Sequence, residues 1–182
     1  MSRNKKTSES LFQFMNLLIA LLLKNGQYRT SLHYRTTLNS FKRYRDNKDI
    51  ALREIDAEEM RSYEAYLHHT AKVCSNTSSF YLRILRATYN KAVAKGLTPQ
   101  QHPFNDVYTG IAQTSKRAIP TESVSQIKRL HSVKELTPNE EMARDTFLMS
   151  FYLRGISFID LAHLRKSDLK DGDLHYTRSK TG

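Results

Sequence analysis

The residues whose types and spacing point to chemistry are basic and amide side chains set along two helical stretches. Ser79, Arg83, Arg86 and Asn90 recur at intervals of three and four, which lines up one face of a helix. No Asp or Glu occurs between Thr77 and Lys95. Arg and Asn pair with guanine and adenine edges, and a helix of this width fits the DNA major groove, so this outward face is a candidate for laying in that groove. A second basic stretch lies upstream. Lys24, Arg29, Arg35, Lys42, Arg43, Arg45 and Lys48 face a single acid, Asp46, in that interval. Tyr34, Leu38 and Phe41 share the apolar side of that helix, which sets Arg35 and Lys42 elsewhere and leaves them, with Arg43, as candidates for phosphate.

Composition agrees with a polyanionic partner. The 182-residue chain carries 29 Lys+Arg against 18 Asp+Glu, a formal net charge of +11. Each Lys or Arg placed near a phosphate releases condensed counterions, so such a balance favours nucleic acid. Other chemistries are excluded or disfavoured. The single cysteine, Cys74, rules out an internal disulfide and a cysteine-based zinc site. The seven histidines are scattered, and the adjacent His68 and His69 point in different directions on a helix, a poor metal pair. No cysteine-based zinc site and no His68–His69 metal pair is expected. The apolar run Leu11 to Leu23 follows Arg3, Lys5 and Lys6 and imitates a signal peptide. Gln13 and Asn16 interrupt it, no small-residue cleavage site follows, and it is too short to span a membrane. It reads as a buried helix.

These residues need helices to hold them. Ser8 is the expected cap of a first helix running to about Leu23, with Gly26 ending it. It is apolar nearly all round, so it is either buried beneath the following helices or meets another protein surface with part of its face. A second helix is expected from about Thr30 to Arg45. Asp56 opens a third, with Glu59 completing a capping box and Met60, Tyr63, Tyr66 and Leu67 turned inward. The fourth runs from about Thr77 to Lys95 and stops at Gly96, with Tyr81, Ile84, Leu85, Thr88 and Ala92 inward. Pro99, Pro103 and Pro120, with Asn105 and Gly110, break the pattern. The expected layout is a helical DNA-binding domain over residues 1–100, a linker over 101–120 in which Lys116 and Arg117 are placed to touch phosphate, and a second region over 121–182. That region begins with a helix carrying Val124, Ile127 and Leu130. Thr137, Pro138 and Glu140 then open a helix through Met142, Phe147, Leu148 and Phe151. Ser157 caps a short helix with Asp160 three residues on, in which Phe158, Ile159, Leu161 and Leu164 read as buried. Asp171-Gly172 is a turn, and Leu174 to Tyr176 alternate as a strand. A domain seldom ends on an unpaired strand, so a truncated fragment is expected.

Two stretches carry a family resemblance. Residues 151–182, FYLRGISFIDLAHLRKSDLKDGDLHYTRSKTG, resemble the start of the catalytic domain of tyrosine recombinases, also called phage integrases. Residues 26–44, GQYRTSLHYRTTLNSFKRY, resemble their SAM-like core-binding domain. The closest group is that of mobile elements and invertible regions in Bacteroides-type bacteria. The resemblance implies a mainly α fold: a SAM-like core-binding domain joined to the truncated start of a mixed α/β catalytic domain, together a clamp on double-stranded DNA. It also implies a chemistry. A tyrosine attacks a backbone phosphate, forms a 3'-phosphotyrosyl link and frees a 5'-hydroxyl; a hydroxyl of another strand reverses the step. Fixed cations stabilise the charge that develops on the phosphoryl oxygens. Lys180 occupies the SKTG turn, where the family places the lysine that protonates the leaving oxygen. The family pattern G-x-R-x-x-E/D-L, aligned on Asp160-Leu161, puts Gly155 on the glycine but Ser157 on the arginine. Arg154, one turn earlier, or Arg178, beside Lys180, is then a candidate for the missing cation, or neither is. No H-x-x-R motif and following tyrosine come after Lys180, so this chain is expected to bind DNA without cleaving it. The resemblance further implies a tetramer of recombinase protomers on DNA, no cofactor, and a place in the bacterial cytoplasm at the nucleoid.

Two other readings compete. Thr137 to Leu164 can be taken as a helix-turn-helix of a non-catalytic regulator, but its second helix carries almost no base-reading side chains. A helical protein-interaction module built on the first helix leaves the basic faces unexplained.

Overall fold

The computed structural model describes residues 10–115, 118–133 and 135–179. The chain divides after Thr114 into two units.

The first unit is built on four helices: α1 (Leu11–Lys24), α2 (Tyr28–Tyr44), α3 (Ala57–His69) and α4 (Ser75–Ala94), with a 3-10 turn at Leu52–Glu54. Ser10 caps α1, accepting from the Gln13 N–H at 3.2 Å; Ser8 lies outside the described residues. Asp49 strengthens this end. Its carboxylate accepts from the Ser10 hydroxyl and, at 3.1 Å, from the Phe12 N–H. An anion there meets the positive end of the helix. The Leu11 N–H donates to the Ile50 carbonyl at 3.0 Å, which fixes α1 beside the segment leading into α3. Leu11, Phe12, Phe14, Met15, Leu18 and Ile19 are buried, while Leu17 and Leu21 stay exposed. Burial beneath its neighbours therefore accounts for one side of α1.

Gly26, at φ +71°, makes the turn between α1 and α2. A positive φ there costs glycine little. α2 then starts two residues before the expected Thr30. Its Phe41 is 0% exposed and packs edge-on to Tyr63 of α3, with centroids 4.9 Å apart and planes at 78°. Such edge-to-face pairs add to plain area burial. The Tyr63 hydroxyl donates to Ser40 Oγ at 2.8 Å, so its polar atom is satisfied inside the core. Burial pushes the Tyr63 hydroxyl pKa well above its ordinary value.

Asp56 caps α3 through the Glu59 N–H at 2.8 Å. The expected reciprocal half of the capping box is absent, because the Glu59 carboxylate turns instead to Arg45, 3.0 Å away. α4 ends at Gly96, φ +67°. Leu82, Leu85, Tyr89 and Ala92 are its buried apolar residues, together with Ser78, Ser79 and Thr88. Tyr81 and Ile84, expected inward, pack only at the margin. The inward side is rotated because a second surface covers α4. Phe104 and Val107 are buried in the same core, and Phe104 meets the Tyr89 ring at 6.1 Å. Tyr89 also donates to the Pro99 carbonyl at 2.8 Å and accepts from the Gln101 N–H at 3.1 Å. The stretch read as a linker thus packs as an irregular strap as far as Ala112. Its prolines prevent helix, but they do not prevent Phe104 and Val107 from packing.

The second unit holds α5 (Thr121–Val133), α6 (Pro138–Tyr152), α7 (Phe158–Ala162), a 3-10 turn at Lys166–Asp168, and the hairpin β1 (Leu169–Lys170) and β2 (Asp173–Leu174). The strands pair antiparallel, Leu169 opposite Leu174 and Lys170 opposite Asp173. Thr137 and Glu140 form the full capping box of α6. Among the described residues of this unit only Val124, Ile156 and Asp160 are buried. Phe158 is 71% exposed and Ile159 is exposed too, contrary to the buried reading; nothing described in this unit covers the outer side of α7.

Phe41→Ala should cost the first unit about 3–5 kcal/mol, the range for emptying a fully buried aromatic site. Urea unfolding followed by circular dichroism reads that loss, and a cost below about 1 kcal/mol would deny Phe41 a central place in the core.

Candidate nucleic-acid interface

α2 presents one exposed, acid-free side, polar except at Leu32. Arg29, Leu32, Thr36, Asn39 and Arg43 follow one another at intervals of three and four, with Arg35 beside them, and all are exposed. The opposite side holds Tyr34, Leu38 and Phe41, so packing of the apolar residues turns the arginines outward. The small polar residues between them satisfy themselves. Ser31 donates to the Tyr28 carbonyl at 2.7 Å and Thr37 to the His33 carbonyl at 3.0 Å. Arg35 and Arg43 are open cations with no ion pair among the described residues. Lys42 is half-buried, its ammonium 5.4 Å from the centre of the Phe12 ring. It covers α1 with its stem and leaves its charge near the surface.

α4 meets α2 at a small aromatic junction. His33 lies edge-on to Phe80, centroids 5.1 Å apart. Lys91 donates to the Tyr34 hydroxyl at 3.1 Å and sits 5.1 Å from that ring's centre. Asn90 is exposed at this end.

The rest of the expected α4 face is taken by the strap. Ser79 is 0% exposed and donates to the Gly110 carbonyl, so it is a structural residue and not an outward one. Asn76 holds Ala112 twice, accepting from its N–H at 2.8 Å and donating to its carbonyl at 3.1 Å. Arg86 remains exposed but donates to Thr109 Oγ1 at 2.8 Å. Arg83 is partly buried, and its Nε is buried with no hydrogen-bond partner. A Cβ at Gly110 would come within 2.9 Å of the far end of the exposed Tyr108 ring, which would have to swing aside. The strap also occupies acids: Glu64 accepts from the Tyr108 N–H at 2.9 Å, and Asp106 pairs with Arg61 at 2.7 Å. Lys116, Arg117 and Lys180 lie outside the described residues.

In the second unit Arg154 is exposed and sits at φ +58°, in the turn that ends α6. Ser157 and Asp160 exchange bonds: the Asp160 N–H donates to Ser157 Oγ at 3.2 Å, and the Ser157 hydroxyl donates to Asp160 Oδ2 at 2.7 Å. Asp160 is only 4% exposed, and its other oxygen accepts from the Ser179 N–H at 2.8 Å. The Ser157 hydrogen bond, then those of Ser179, hold the carboxyl below its ordinary pKa, with a further contribution from Arg178. An open cavity of about 540 Å³ adjoins this carboxylate, lined also by His163, Asp168, His175 and Tyr176. The sequence reads Asp160 as orienting a basic neighbour or serving the helix cap; nothing in its spacing announces the bond to Ser179. Among the described residues no group of His, Cys, Asp and Glu is placed to hold a metal ion, and no helix is long and apolar enough to cross a membrane.

The first unit is a small helical domain with an acid-free stripe of exposed arginines on α2. Residues 10–107 match the family model for the phage integrase SAM-like domain, and the chain belongs to that family. The matched segment opens at the α1 cap and closes at Val107 in the strap. No curated protein and no solved structure matches the chain. Membership in an integrase family points to DNA binding and recombination as the setting in which this domain works.

Asn76→Ala should free the strap at Ala112, because both of its bonds there are lost. Amide hydrogen exchange at Ala112 should quicken roughly tenfold or more, on the order expected for a lost hydrogen bond. Unchanged exchange would mean that Phe104 and Val107 hold the strap without it.

Proposed function

We propose that this chain supplies DNA binding and part of the active site of a site-specific tyrosine recombinase of the kind carried by mobile elements and invertible regions. The observation that carries the reading is the coincidence of the integrase family match with an exposed, acid-free arginine stripe on α2. Arg35 and Arg43 contact backbone phosphates in this account. Lys42 flanks them, while Arg83, Arg86 and Asn90 contribute from α4 beside the strap. Ser79 has no direct role. Phosphate contacts set register and affinity, and Asn39 on the same stripe is a side chain able to read a base edge.

The whole enzyme, in this reading, joins a tyrosine oxygen to the scissile phosphorus and releases the 5'-oxygen, which takes a proton from Lys180. A cation beside the phosphate, Arg154 or Arg178, stabilises the non-bridging oxygens. The link conserves the phosphodiester energy, so no nucleotide or metal cofactor enters. Recombination requires further protomers, four on paired duplexes, in the bacterial cytoplasm at the nucleoid.

Removing one phosphate contact lowers the salt dependence of binding by about one unit of slope. Arg35→Ala and Arg43→Ala should each do so on mixed-sequence duplex DNA in fluorescence anisotropy titrations at several salt concentrations. Arg53→Ala removes an equal charge from the 3-10 turn and should leave the slope unchanged. Equal losses in all three variants would mean that net charge alone attracts DNA and that α2 is not the interface.

A further inference from the structure

The exposed side of α2 is not made of cations alone. Leu32 stands between Arg29 and Arg43 and is 55% exposed. At about 100° per residue, Leu32, Thr36, Asn39 and Arg43 fall within about 60° of arc, so they form one line along the helix. Arg29 and Arg43 close the two ends of that line, and Arg35 flanks it. Between the cations come an apolar side chain, a hydroxyl residue that carries a methyl group, and an amide.

The polar groups in this line are uncommitted. Ser31 and Thr37 spend their hydroxyls on the backbone of their own helix, and Ser40 accepts from the Tyr63 hydroxyl. Thr36 and Asn39 have no side-chain hydrogen bond among the described residues. At a rise of about 1.5 Å per residue, Leu32 lies about 10 Å from Asn39 along the axis, close to three base-pair steps of about 3.4 Å.

Charge decides what fits such a line. A protein surface laid over Leu32 would also have to cover Arg29, Arg35 and Arg43, none of which has an ion-pair partner among the described residues. Burying unpaired charge is costly. Duplex DNA offers phosphates along both walls of the major groove, which take the arginines, and base edges at its floor. The apolar group on those edges is the C5-methyl of thymine.

We propose that Leu32, with the methyl group of Thr36, packs on thymine methyl groups in the major groove while Asn39 pairs with an adenine edge, so that this domain selects A·T pairs. This rests on the DNA-binding reading above and names the bases that the α2 side takes. The arginines hold α2 in the groove without telling one base pair from another. Leu32 discriminates, and it adds nothing to the attraction of the phosphates.

The test is fluorescence anisotropy titration of the full chain with two duplexes of alternating adenine and thymine, one of them carrying deoxyuridine in place of every thymidine. Uracil keeps the hydrogen-bonding edge of thymine and lacks only its methyl group. The thymine duplex should bind roughly fourfold tighter or more, as for burial of one or two methyl groups. Leu32→Ala should bring that ratio close to one and leave the salt dependence of binding unchanged, since no phosphate contact is lost. Comparing the two ratios cancels any effect of uracil on the duplex itself. Thr36→Ser, which keeps the hydroxyl and removes the methyl, should lower the ratio in part. Equal binding of both duplexes by the unaltered chain, with Arg35→Ala and Arg43→Ala still lowering the salt slope, would overturn the thymine contact and leave the DNA-binding reading standing. A thymine preference that survives in Leu32→Ala would overturn it too. So would self-association that is lost in Leu32→Ala on sedimentation while the ratio stays unmoved, which would give Leu32 to a contact between copies of the chain. No binding to either duplex would sink both readings.

Discussion

The contact of Phe41 with Tyr63 decides which side of α2 meets solvent. Both rings are buried, and the Tyr63 hydroxyl closes on Ser40 one residue before Phe41. Rotating α2 enough to bury Arg35 or Arg43 would pull Phe41 out of the core and leave the Tyr63 hydroxyl without its acceptor. The cost would combine apolar exposure with an unsatisfied buried polar group, several kcal/mol in all. The arginine stripe is therefore held by the core behind it, and the seating of α1 through Phe12 on Phe41 and of α4 at the Tyr34–Lys91 junction follows from the same packing.

The helices of the first unit were legible in the sequence wherever an apolar repeat met a capping residue. Tyr34, Leu38 and Phe41 placed α2 correctly, and with it Arg35 and Arg43. α4 was misjudged in rotation. Its Ser79, Arg83 and Arg86 side carries no acid and reads as solvated, yet the strap lies against it. The strap was opaque because its covering residues, Phe104 and Val107, stand in a proline-broken stretch with no period of their own. Glu59 shows the same limit on a smaller scale: its spacing from Asp56 fits a capping box, but Arg45, 14 residues away, takes the carboxylate. Local pattern reports local bonds well and long-range competitors not at all.

The second unit was read less well, for a related reason. The capping signals at Thr137 and Ser157 are local and appear as expected. Burial is not local. Phe158 and Ile159 look like core residues by composition and stand exposed, because none of the unit's described residues covers them. The candidate site there was partly legible: the departure at Ser157 could be seen in the sequence, but the bond that brings Ser179 to Asp160 spans the hairpin and has no sequence signature.

The central claim is that the arginine stripe of α2 is the surface that meets DNA. The most direct measurement maps backbone amide shifts of the full chain on titration with duplex DNA. The account predicts shifts gathered on α2 from Arg29 to Arg43 and at Asn90 and Lys91, with the exposed leucines of α1 unmoved. Shifts centred on Leu17 and Leu21, or none at all, would contradict it.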